Sequence, residues 1–93
     1  MKIRLAQLIS LNPVSKGCFS MNKEFESDII PHAGDKIGDS VWKDPYEHEV
    51  IEVVINYQEN ICYVTLESIE LASIQWLDEW REMVKLHGWT TVG

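Results

Sequence analysis

Three histidines, two cysteines and an excess of carboxylates are the side chains here with chemistry to offer. His32 and Asp35 flank Gly34, and a turn would bring the carboxylate to one imidazole nitrogen and leave the other free to move a proton. The same spacing also serves a turn that needs its own hydrogen bond, and no companion group for substrate binding accompanies the pair. His48 lies between Glu47 and Glu49, with Glu52 further on. On a strand Glu47 and Glu49 point away from His48, which leaves Glu52 alone on its face, and two ligands do not make a metal site. His87 falls where a helix would end, a position that favours a cation. Cys18 and Cys62 are far apart and lack C-x-x-C or zinc spacing, so they read as reduced, buried small hydrophobes. The chain has no Gly-rich phosphate loop and no nucleophile beside a base. A protein that is not an enzyme is expected, with no catalytic residues, metal or cofactor.

Binding residues are easier to find. Trp42 and Tyr46 flank a Lys-Asp-Pro turn, and Asp39, Asp44, Glu47 and Glu49 surround them. Two exposed rings inside an acidic field would anchor and steer a protein partner. The same rings, with backbone amides near Gly34 taking phosphate oxygens, would suit a nucleotide or another small molecule. Fifteen acidic residues against eight basic ones give a net charge of −7, which repels phosphate backbones and argues against direct nucleic-acid binding.

The elements that must position these groups follow from periodicity. Ninety-three residues suit a single domain spanning 1–93 with one modest core. Residues 47–71 form the densest strand-prone run, a hairpin of strands over about 47–57 and 61–71. In its first arm Ile51, Val53, Ile55 and Tyr57 share the core register, while Val50 and Val54 share the other face with His48 and Glu52. A change of phase near Glu67 and Ser68 predicts a bulge or bend. Further strands are expected over about 2–11, 18–26 and 36–42. The second of these alternates cleanly, with Phe19, Met21 and Phe25 inward. A helix is predicted over about 73–87, with Leu77, Trp80 and Val84 on its apolar stripe. Gly88 would stop it, and Trp89 would fold back onto the last turn.

The run Pro31-His32-Ala33-Gly34-Asp35-Lys36-Ile37 resembles the Gly-Asp turn leading into a strand of SH3-like and related small β-barrels. The expected class is α+β, mainly β: a small antiparallel curled sheet or SH3-like barrel of about five strands with one C-terminal helix. Small acidic chains of this kind are similar to accessory proteins of phages and mobile elements. That likeness implies a protein that binds and inhibits or modulates a bacterial protein, the alternative being a small-molecule binder or sequestering protein. No signal peptide or membrane-spanning run is legible, so a cytoplasmic protein is expected. Val50, Val54, Ile61 and Tyr63 crowd the second face of the hairpin, and with an unpaired strand edge they predict a homo-oligomer, most simply a dimer.

Overall fold

A computed structural model describes all 93 residues, Met1–Gly93. The elements run β1 (Lys2–Ser10), a 3-10 turn (Val14–Lys16), β2 (Cys18–Glu26), β3 (Lys36–Gly38), β4 (Glu47–Asn56), β5 (Ile61–Leu66), β6 (Ile69–Glu70), α1 (Ile74–Leu86) and β7 (Thr90–Val92). They make a mostly-β, mixed open sheet of seven strands in the order β3-β4-β5-β1-β2-β7, with β6 also paired to β1.

The sheet is organised around β1. Its alternation puts Ile3, Leu5, Gln7 and Ile9 on one face, all buried. β2 returns antiparallel, setting Phe19 against Ile9 and Met21 against Gln7. On the other side β5 runs parallel to β1, with Cys62 beside Ile3 and Val64 beside Leu5. One apolar face is thus shared by three strands, and Leu77 and Val84 of α1 join the same buried cluster. Complete burial of each such side chain stabilises the fold by roughly 1.5–3 kcal/mol before entropy is counted. Arg4, Glu24, Tyr63 and Val54 stand on the opposite face, which no helix covers.

Two features of the expected architecture change. The sheet does not close, because its outer members, β3–β4 on one side and β7 on the other, do not pair with each other; the SH3-like barrel is not formed. It is also not purely antiparallel, since β1 pairs parallel with both β5 and β6. The strand expected over 36–42 stops at Gly38, after which Val41 and Trp42 drop into the core. The strand expected over 61–71 is interrupted at Glu67 and Ser68, where the phase of the sequence changes. β7 was not expected, and it pairs with the middle of β2.

A second irregularity, at Ile51, alters the hairpin. Val50 faces Leu66 but Glu52 faces Thr65, so Ile51 is an extra residue without a partner on β5. The insertion reverses the faces beyond it. Val50 is fully buried, Val53 and Ile55 follow it on the core side, and Ile51 is left 53% exposed. Val50, expected on the outer face, is therefore a core residue and no part of an outer surface. Ile61 is also buried, whereas Val54 and Tyr63 face each other across the strands and remain exposed.

α1 is held at both ends by its own sequence. The Ser73 hydroxyl accepts the Trp76 N–H at 3.4 Å. At the other end the Trp89 N–H donates to Val84 O and the Gly88 N–H to Lys85 O, with Gly88 at φ 85°. This reverse turn folds the buried Trp89 onto Val84. No helix is long and apolar enough to cross a membrane.

A candidate ligand cleft beside the C-terminal helix

The chain between β3 and β4 crosses the same face as α1, and the two leave a cleft of about 560 Å³ between them. Trp80, Met83 and His87 line its helix side, spaced so that one helical stripe presents all three. Val41 and Trp42, then Lys43, Asp44 and Pro45, form the facing wall, and His48 and Ile69 complete the lining. The volume and the mixture of apolar surface with a few polar groups suit a small organic ligand. Another depression, of about 590 Å³, lies near Leu11, Lys16 and Ser73. Its lining sets Asn12, Lys16, Glu70 and Ser73 beside Leu11, Leu71 and Ile74, without an aromatic wall.

The wall of the cleft is held by a buried polar chain. The Gln7 side chain interrupts the apolar face of β1 at 1% exposure. Its Nε2 donates to Glu67 O at 2.8 Å, and its Oε1 accepts from Trp42 Nε1 at 3.0 Å. Trp42 in turn meets the His48 ring edge-on, with centroids 4.8 Å apart. His48 Nδ1 lies 2.9 Å from Glu67 Oε1, which also accepts the Glu49 N–H at 3.2 Å. The hydrogen bond from His48, joined by that from Glu49, holds the Glu67 carboxyl below its ordinary range against the opposing effect of burial. An ionised carboxylate accepts only, so Nδ1 carries the proton and Nε2 is left as the reactive nitrogen. It offers a lone pair when the ring is neutral and a donor when it is charged.

The second support is Asp39. Burial pushes its carboxyl up, but hydrogen bonds from Lys23 (2.8 Å), the Val41 N–H (3.0 Å) and Trp89 Nε1 (3.1 Å) outweigh burial and hold it below its ordinary value. Lys23 also donates to His87 O and lies 5.6 Å from the Trp89 ring centre. Asp39 thus ties β2, the helix terminus and the start of the cleft wall together. Nearby, Ser40 Oγ is 2.9 Å from His87 Nδ1, but His87 makes no second side-chain hydrogen bond to orient it as a catalytic base.

The residues singled out from sequence separate into different roles. Trp42 does line the cleft, yet at 3% exposure it is a wall and cannot insert into a protein partner. Tyr46 is 63% exposed and lies over Gly38, away from the cleft lining. The Gly34 N–H is taken by Val50 O, so it has no proton left for a phosphate. Asp39 is a structural acid, not a steering charge, while Asp44 sits on the cleft wall and Glu49 is exposed. Glu47 is half-buried in the strand pair with β3. His32 is 3.7 Å from Asp35, whose Oδ2 accepts the His32 N–H at 2.9 Å and closes a turn. The partner of His48 is Glu67, not Glu52, because the extra residue at Ile51 sends Glu52 to the other face. Gln7 and Glu67 are site residues that the sequence does not mark out, beyond the signal of an amide inside an otherwise apolar strand. Comparison with protein-family models, with curated proteins and with solved structures returns no match.

Proposed function

We propose that the protein binds a small organic molecule, non-covalently, in the cleft between α1 and residues 41–45. The observation supporting this reading is the combination of a cleft flanked by Trp42, Trp80 and Met83 with His48 set in it by Glu67. Apolar walls supply most of the affinity, and one oriented imidazole supplies direction. A flat ligand carrying a hydrogen-bonding group matches that lining, in which Lys43 and Asp44 offset each other's charge.

A thermal-shift screen of nucleotides, aromatic acids and neutral heterocycles tests the proposal. A ligand at about 100 times its Kd stabilises the folded state by roughly 2.7 kcal/mol, which in a domain of this size raises Tm by roughly 10–20 °C. Trp80→Ala, at a half-buried position on the cleft, should remove the response while the variant still unfolds cooperatively. A response unaltered by Trp80→Ala would place the ligand elsewhere, and no response from any class would sink the reading.

The second reading is a non-catalytic protein that binds and modulates another protein. Exposed Tyr46 beside Asp44 and Glu49 favours it, since a ring in an acidic surround suits a basic surface. Tyr46→Ala should weaken capture of such a partner at least tenfold without changing ligand-induced stabilisation; equal capture by both proteins would refute it.

A further inference from the structure

The two edges of the sheet are defended unequally. Where β2 runs beyond its pairing with β7, it carries Lys23, Glu24 and Glu26 around the exposed Phe25, three charges in four residues that discourage another strand from docking. On the opposite side β3 covers β4 only from Glu47 to Glu49. Val50 is the last residue of β4 served there, its N–H bonding Asp35 O and its C=O accepting from Gly34. Beyond it, residues 51–56 have no strand on their outer side, and Glu52 is their only charge. Ile51 is 53% exposed, Val54 49%, Ile55 37% and Tyr57, just past the strand, 80%.

We propose that this edge pairs antiparallel with the same edge of a second copy, extending the sheet across a two-fold axis at Val54. The sequence is self-complementary in that register. Val54 faces the second copy's Val54 and Val53 faces Ile55, so apolar residues meet at the axis and on either side of it. Glu52 meets the amide of Asn56 instead of another carboxylate. Registers that set Glu52 against its own copy bring two like charges together in a protein already carrying −7. The axis also falls beyond the irregularity at Ile51, so the regular part of β4 supplies the ladder. A contact of this length is short beside the roughly 1,200 Å² at the lower end of the range for specific dimers, and gives an association that depends on concentration.

Sedimentation equilibrium of the full chain from about 1 to 100 µM tests the proposal, with the mass expected to move from one chain toward two. Val54→Lys places two ammonium groups at the axis, and Ile51→Lys adds a charge where the exposed edge begins. Each should weaken association at least tenfold, whereas Leu86→Lys, on the exposed side of α1, should leave it unchanged. Amide exchange on the wild-type chain gives a readout independent of substitution: outward amides in residues 53–55 should exchange faster on dilution. A single-chain mass throughout would overturn the proposal and leave the edge to a strand from another protein. So would a dimer insensitive to both β4 substitutions, or one broken by Leu86→Lys alone.

Discussion

Replacing Gln7 by leucine tests how much of the fold and its cleft depends on one buried amide. The substitution nearly preserves volume but removes both hydrogen bonds that the amide makes, to Trp42 Nε1 and to Glu67 O. Trp42 is 3% exposed, so its indole N–H is stranded away from water at a cost of about 1–3 kcal/mol. Glu67 O loses the amide that donates to it, and this second loss is about 1 kcal/mol. The sum, about 2–4 kcal/mol, is a large part of the roughly 5–14 kcal/mol available to a domain of this length. With a urea slope near 1–1.5 kcal/mol per molar, the midpoint should fall by roughly 2 M, read by tryptophan fluorescence. Trp42→Phe in the same background removes the stranded donor, so the double variant should lose less than the sum of the two single losses, by about 1 kcal/mol or more. A Gln7→Leu protein within about 1 kcal/mol of wild type would refute the reasoning, since it would mean that the amide is not what satisfies Trp42.

Asp39 predicts a pH dependence. Its folded value is held below the ordinary 3.8, so its contribution is complete above that value and is lost as pH falls below it and through the folded value. Asp39→Asn should remove this acid-limb slope in urea titrations. At neutral pH it should cost about 1–3 kcal/mol, less than a fully buried ion pair because Lys23 is partly exposed. Gly88→Ala should cost about 1–2 kcal/mol, because alanine must adopt φ near 85° there. Its added Cβ meets only the far end of the Lys23 side chain, Cε at 3.6 Å and Nζ at 3.9 Å, so backbone conformation, not crowding, sets the loss. A calorimetric Tm equal to that of wild type would contradict that assignment.

Local signals carried much of the fold. The alternation of β2 is visible because one face is apolar and the other polar, and it holds for the buried Phe19 and Met21, while Phe25, expected inward, is 42% exposed near the strand's end. The end of α1 is visible because Gly88 and Trp89 each have a distinct part in the reverse turn. The partner of β1 is not legible, since its pattern of inward residues is the same beside a parallel or an antiparallel neighbour. β7, at three residues, is too short to show a period. The faces of the hairpin turn on one residue: the phase change at Glu67 shows as a break in apolar spacing, but Ile51 is apolar on either face and hides the insertion. That single shift turned Val50 inward and separated His48 from Glu52. The cleft was only half legible for a related reason. Trp42 and His48 stand out in the sequence, but Gln7 and Glu67 reach them only through the β1–β5 pairing and the strand break that follows it.

That parallel pairing also sets the order in which structure can accumulate. β1–β2 and β4–β5 are hairpins closed by short connections, and each can form early from neighbouring residues. The seam between them joins Lys2 to Ile61, closing a loop of roughly sixty residues, which costs about 2 kcal/mol more entropy than a hairpin turn. During synthesis the first strand must therefore wait, paired on one side only, until residues 61–65 have emerged. Gln7 waits with it, and the cleft wall acquires its fixed geometry only when the two halves meet.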